Sequence, residues 1–344
     1  MIRALKTLLF TAVIVVAGVA NAENVTITGA GSSFVAPIMQ QWAETYNKAH
    51  SAVKVDYQGK GSGVGIAGIT DKTLDFAASD APMSEKEIAA AGGNVINVPV
   101  IAGAVVAIYN VPGAPADLKL DGVVLAEIFQ GKIKNWNDAK ITAANPDAKL
   151  PDQAITIVCR SDSSGTSYIF SSYLATQSDE FLEKVGASKA PKWPAGGQAA
   201  KGNPGVAQAV QNSVGAIGYV ELNYAVEKKL QYAMVKNAEG EFIKATPEST
   251  SLAGDAAAAS MKDTLVSRLW NRKGKGTYPI CGLVYVLVRT DLTAMGQAKA
   301  EALVDFLQWS THEGQKSAAS LSYAPLSTAM QTKVGDALGK IKTK

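Results

Sequence analysis

The chain has little of what metal sites and disulfide scaffolds are made from. Its 344 residues include two cysteines, Cys159 and Cys281, and two histidines, His50 and His312. No CxxC pair and no His/Cys cluster occurs, so neither a structural zinc site nor a cystine framework is expected. Beyond the N-terminus no run is long and apolar enough for a membrane helix. There is no internal repeat and no low-complexity block. A Walker phosphate loop with its lysine is missing, and so is a GxSxG nucleophile elbow. Both histidines fall at predicted helix ends, far in sequence from the serine-rich turns. The serines therefore read as hydrogen-bond donors rather than nucleophiles, and no catalytic residue, metal or cofactor is expected.

The N-terminus carries a basic start, Arg3 and Lys6, an uncharged run from Leu8 to Ala20, and a small-x-small site, Ala20-Asn21-Ala22. This reads as a secretory signal over residues 1–22, a retained anchor being the alternative. Removing it lowers the formal charge from +3 to +1 by loss of Arg3 and Lys6. A nearly neutral chain argues against nucleic acid or a membrane surface as the main partner, so any anion binding must be local. No cysteine lies near the signal, so no lipid attachment is expected there. Export permits a Cys159–Cys281 disulfide, and two buried free thiols are the other possibility. Apolar residues, 47% of the chain, suffice for one large or two medium domains.

Alternating β and α signals predict a parallel α/β sheet. Strands over Asn24–Thr28, Val53–Tyr57 and Leu74–Ala78 run into Gly29–Phe34, Gly59–Gly65 and Ser79-Asp80. A helix follows the first turn, with Phe34, Ile38, Trp42 and Tyr46 on one face. Ser84–Ala91 reads as a capped helix. Val95–Val100 and Ala104–Tyr109 read as two consecutive strands, and Ala253–Trp270 as a helix. In such sheets ligands sit beyond the carboxyl ends of strands, where Ser33, Ser62 and Asp80 fall.

The most informative stretch is Arg160–Ser167, between the apolar strand Ala154–Val158 and the helix from Tyr168. Ser164 or Thr166 can cap that helix, and Gly165 admits a close backbone approach. A helix N-terminus beside an arginine fork suits an anion. The plainer possibility is a capped helix with an Arg160–Asp162 surface pair. Gly63–Gly68 also satisfies the GxGxxG fingerprint, with Asp80 ending the next strand, which would suit an NAD-dependent oxidoreductase. Against that stand the glycine run that starts at Gly59, the strand and helix that precede it, and the export signal.

Taken together, Thr28–Phe34, Tyr57–Gly63, Ala78–Ser84, Gly131–Trp136, Arg160–Ser167 and Gly215–Val220 resemble, in order, the periplasmic phosphate-binding proteins of high-affinity phosphate ABC transporters. The resemblance implies a type II periplasmic-binding fold of two α/β lobes, each a mainly parallel sheet flanked by helices, with the ligand cleft between them. Lobe 1 would comprise 23–108 and 285–344, and lobe 2 109–284. It implies a monomer that binds inorganic phosphate in a periplasm and hands it to a membrane-embedded permease. The phosphate ligands would be Ser33, Phe34, Ser62, Asp80, Arg160, Ser164, Gly165 and Thr166, with Phe34 and Gly165 acting through their N–H groups. Ser33 stands where the family often has threonine, and Cys159 where a relative has a second basic residue beside the arginine. Another oxyanion such as sulfate is the nearest alternative. Asp80 bears on that choice: an ionised carboxylate only accepts, so it suits a ligand with a P–OH and repels sulfate. Alternatively, Asp80 pairs with Arg160 or caps the helix at Ser84.

Overall fold

The computed structural model describes residues 24–258 and 265–344, so the predicted signal segment 1–22 lies outside the described residues. The first third runs β1 (Val25–Gly31), α1 (Ala36–Ala49), β2 (Val53–Gly59), α2 (Ser62–Thr70), β3 (Phe76–Ser79), α3 (Glu85–Ala90) and β4 (Val95–Asn110). Next come β5 (Lys119–Leu120), α4 (Gly122–Phe129), α5 (Ala139–Ala144), β6 (Thr156–Arg160) and α6 (Gly165–Ala175). They lead to α7 (Asp179–Lys184), β7 (Gln198–Ala200), α8 (Gly202–Asn212), β8 (Ala216–Glu221) and α9 (Leu222–Glu227). Three short strands follow, β9 (Gln231–Tyr232), β10 (Met234–Lys236) and β11 (Phe242–Ile243). The chain closes with α10 (Pro247–Ala258), β12 (Cys281–Arg289), α11 (Gln297–Thr311) and α12 (Thr328–Leu338).

The main sheet has the order β2-β1-β3-β12-β4-β8-β6-β7, with β9 beside β4. At one end β1 is parallel to β2 and β3, and at the other β6 is parallel to β7 and β8. Antiparallel β12 and β4 join the two parallel sets. Parallel neighbours are joined by helices that cover the faces, so the inner strands β6 and β8 are almost wholly buried, whereas β2 and β7 at the sheet edges are partly exposed. Helix α1 buries Ile38, Met39, Trp42 and Tyr46 along one face, as its spacing predicts. Each such side chain contributes roughly 1.5–3 kcal/mol of burial. The indole N–H of Trp136, also buried, donates to the Gly215 carbonyl at 2.9 Å.

Two predicted elements come out differently. The strands expected at Val95–Val100 and Ala104–Tyr109 are one strand, β4. Its residues Val95 to Ala104 pair with β12 and Val105 to Asn110 with β8. Pro99, which argues against a central strand, sits where the pairing with β12 shifts register between Val284 and Tyr285. A bulge of that kind tolerates a residue without an N–H. The predicted helix Ala253–Trp270 is displaced. Helix α10 begins earlier, at Pro247, residues 265–269 are not helical, and 259–264 lie outside the described residues.

Topology also separates the cysteines. Cys159 lies in β6 and Cys281 opens β12, with β4 and β8 between their strands. Three strand spacings, about 14 Å, exceed disulfide reach. Both thiols are free and buried, and burial pushes Cys281 up to about 12. Among the described residues, no helix is long and apolar enough to cross a membrane.

Candidate functional site

Three strand ends and two helix starts meet at one place. The turn after β1 carries Ser32, Ser33 and Phe34. Gly31 adopts φ 137°, and a Cβ there would lie 2.1 Å from the Ala78 carbonyl oxygen, so only glycine lets β1 approach β3 this closely. Ser62 opens α2, Asp80 follows β3, Arg160 ends β6, and Gly165 and Thr166 open α6. Ser164, one of the two predicted caps, caps α6, its hydroxyl accepting from the Ser167 N–H at 3.0 Å.

Contacts link most of the predicted residues. Ser62 Oγ accepts from Gly165 N at 3.1 Å and Asp80 N at 3.4 Å. Thr166 Oγ1 donates to Asp80 Oδ2 at 3.4 Å and accepts from Arg160 Nη1 at 3.4 Å. A Cβ on Gly165 would come within 2.6 Å of both Asp80 Oδ2 and Ser62 Oγ, so a side chain here would fill the site. Two residues stand apart. Ser164 is turned to its own helix, and the Phe34 N–H is donated to Ser32 Oγ at 2.9 Å while its ring is buried.

The Arg160–Asp162 pair forms, but not on the surface. Nε and Nη2 of the guanidinium meet Oδ1 and Oδ2 of Asp162 at 2.8 and 2.6 Å, with the Arg160 side chain 1% exposed. Burial disfavours an ionised Asp162, yet Arg160 and the Gly202 N–H hold it below the usual carboxylate range. Asp80 takes neither of its alternative roles. Ser84 is capped reciprocally by Glu87, and Arg160 spends its fork on Asp162. Asp80 instead accepts from Ser32 Oγ, and burial raises it to about 7 against the lowering by Ser32, Arg160 and Thr166.

That shift fixes a pH dependence. Between about 3.9, the unfolded value, and about 7 the folded protein holds more protons at Asp80. Stability therefore falls as pH rises through this window, by up to about 1.4 kcal/mol per pH unit, and is flat above it. Urea unfolding of ligand-free wild type and Asp80→Asn measures it: the stability difference in favour of Asp80→Asn is expected to grow from pH 4 to pH 7. A difference independent of pH would contradict the shift.

Sequence reasoning missed Ser32, Asn203 and Glu221. Asn203, at the start of α8, donates from N and from Nδ2 to Ser33 Oγ, both at 3.1 Å, and from Nδ2 to Thr166 Oγ1 at 3.1 Å. Its Oδ1 accepts from the Glu221 N–H at 3.1 Å. The only available signal was a polar residue between Gly202 and Pro204 at a helix start.

The hydroxyls share one property. Ser33, Ser62 and Thr166 each accept two hydrogen bonds from the protein, which uses both lone pairs of each oxygen. That leaves the hydrogens of Ser33 and Ser62 to donate, while Thr166 donates its own to Asp80 Oδ2 at 3.4 Å. The site offers hydroxyl donors and a guanidinium beside one carboxylate acceptor, in a buried place where charge interactions are strong. Such an arrangement fits a small anion that itself carries one proton.

The other candidate sites offer less. The GxGxxG glycines lie within α2 rather than in a phosphate-facing turn: Gly63 packs on Ser163, Gly65 on Ala78 and Gly31, and Gly68 on Leu74. His50 and His312 follow α1 and α11, bonded to the Tyr46 and Gln308 carbonyls. A cavity of about 610 Å³ is lined by Lys72, Asp75 and Arg289, but Arg289 is spent on the carbonyls of Ile69 and Ala91 and on Asn94.

Known proteins share this architecture. A family model described as a PBP superfamily domain matches residues 17–313. The phosphate-binding protein PstS of Xylella fastidiosa (strain 9a5c) is 42% identical over 305 residues, 88% of this chain and 82% of that one. PstS of Pasteurella multocida (strain Pm70) is 41% identical over 302 residues, 88% and 86%. Among solved structures, a phosphate-binding protein from Stenotrophomonas maltophilia superposes with a TM-score of 0.66 at 19% identity, over 90% of this chain and 93% of that one. A high-affinity periplasmic phosphate-binding protein, PfluDING, solved with phosphate bound, gives 0.68 at 21% identity, over 90% and 92%. At those identities the two structures share the fold. With the family model and the sequence relatives each spanning most of its length, the chain belongs to the PBP superfamily and, within it, to the PstS phosphate-binding proteins.

Proposed function

We propose that the protein binds inorganic phosphate between two lobes and delivers it to a membrane-embedded phosphate ABC permease. It carries its ligand unchanged, as a monomer in the periplasm after residues 1–22 are removed. The lobes are 23–108 with 285–344, and 109–284. The ligands are Ser33, Ser62, Asp80, Arg160, Ser164, Gly165 and Thr166, with the N–H groups of Phe34 and Gly165 released from Ser32 and Ser62 when the anion binds, and Ser164 offering the hydrogen that its cap bond does not use. The observation that carries this reading is the carboxylate of Asp80 beside the Ser33 and Thr166 hydroxyls, whose lone pairs are all taken by Asn203 and Arg160.

Phosphate near neutral pH keeps at least one P–OH, which Asp80 Oδ2 accepts. The remaining oxygens take the hydrogens of Ser33 and Ser62, that of Thr166 once the P–OH displaces it from Asp80, and the charge of Arg160. Donors from both lobes reach the same anion, so the ligand binds the closed form more tightly than the open one, the condition for shifting that equilibrium. Direct contacts add to closure: Tyr224 OH donates to the Ser33 carbonyl at 2.6 Å, Gly63 N to the Ser163 carbonyl at 3.0 Å, and Lys189 pairs with Glu87. The permease then recognises the closed form.

Equilibrium dialysis of the mature chain against labelled phosphate tests this. One phosphate retained per chain, displaced by unlabelled phosphate and not by NAD, is expected. No retention, or displacement by NAD, would overturn the reading.

A further inference from the structure

We propose that Asn203 is a positioning residue of the anion site, one that leaves the hydroxyls of Ser33 and Thr166 only their hydrogens to offer a ligand, the Thr166 hydrogen lying on Asp80 Oδ2 until the anion binds. The inference rests on the reading of this site as the phosphate site and goes beyond its ligands.

The orientation of the Asn203 amide is fixed by its neighbours. The Glu221 N–H can only donate, so the Asn203 atom facing it at 3.1 Å is Oδ1. That fixes Nδ2 on the other side, against Ser33 Oγ and Thr166 Oγ1 at 3.1 Å each. Asn203 is fully buried, so no water competes for these bonds. The Asn203 backbone N–H, free because it lies in the first turn of α8, also goes to Ser33 Oγ at 3.1 Å. Both lone pairs of Ser33 are thus taken by one residue. On Thr166 one is taken by Asn203 and the other by Arg160. Neither hydroxyl can turn a lone pair toward an anion. The orientation is built on closure as well, since Asn203 and Ser33 are 170 residues apart and lie on different parts of the sheet.

The turn is itself pinned. Gly202 takes φ +69°, which favours glycine, and its N–H donates to Asp162 Oδ1 at 3.0 Å. The segment that directs the two hydroxyls therefore also holds the partner of Arg160. Asn203 acts through other residues, so its effect on affinity has to depend on theirs.

A double-mutant cycle reads that dependence. Calorimetric titration with inorganic phosphate is run on wild type, Asn203→Ala, Ser33→Ala and the double variant, with ligand-free thermal melts alongside. Asn203→Ala is expected to weaken phosphate about 10- to 100-fold, the range for unmaking a buried hydrogen bond. In the Ser33→Ala background the loss should shrink at least threefold, as a rough bound on coupling between contacting residues. An equal loss in both backgrounds, or none in wild type, overturns the proposal. Should Asn203→Ala fail to fold, Asn203→Asp keeps the shape and replaces the donor by an acceptor. It should pull the hydroxyl hydrogens onto itself, weaken phosphate by more than about tenfold and show the same shrinkage; wild-type affinity in Asn203→Asp overturns the proposal. If the wild type itself does not bind phosphate, what fails is the assignment of the site.

Discussion

Arg160→Ala weakens phosphate binding by about 2–5 kcal/mol, the range for truncating one partner of a buried charge pair. Two losses combine. The anion loses the guanidinium, and the half-buried Asp162 loses its cation and keeps the Gly202 N–H, adding repulsion where the protein had neutralised it. The upper half of the range is therefore expected. Arg160→Lys restores the charge but cannot serve Asp162 with two parallel bonds and recovers only part. Arg160→Ala combined with Asp162→Asn should bind better than Arg160→Ala alone, because the stranded charge is gone. Calorimetric affinities of the four proteins check this; Arg160→Ala binding like wild type would remove the arginine from the site.

The second large effect is on selectivity. At pH 8 Asp80, raised to about 7, is mostly ionised and faces any bound anion. Phosphate meets it with a P–OH, whereas sulfate has no proton to give. Asp80→Asn removes the repulsion and adds an N–H donor with little change of shape, so sulfate affinity should rise by a few kcal/mol, on the order of 100-fold. The sign with pH follows. Below about 7 the wild-type carboxyl is protonated and can donate, so sulfate affinity is level there. Above it, affinity falls by up to about tenfold per pH unit. Asp80→Asn should lack this slope. Competition titrations at pH 6 and pH 8 read both effects, and an unchanged sulfate-to-phosphate ratio in Asp80→Asn would strip Asp80 of this role.

What could be read from the sequence was local. Gly29–Phe34, Gly59–Gly65 and Arg160–Ser167 each combine a strand end, glycines and a helix start within a few residues, and the structure brings all three together. The Arg160–Asp162 pair was legible for the same reason, two residues on one turn, although its burial was not. Asn203 was invisible because its partners lie far away in sequence, and only the packing of α8 against the β1–α1 turn makes its amide matter. Glu221 enters through its backbone N–H, which no residue type announces. The single strand β4 was split at Gly103, which looks like a breaker until Phe34 is seen to lie against it. Helix α10 was misplaced because alanine content favours a helix without marking where it stops.

The claim that an ionised Asp80 selects a protonated oxyanion is tested most directly on the wild-type protein. Calorimetric titration of the mature chain at pH 8, with phosphate and then with sulfate, should give one saturable phosphate site per chain and no measurable sulfate binding at the same concentrations. Sulfate binding as tight as phosphate at that pH would contradict it.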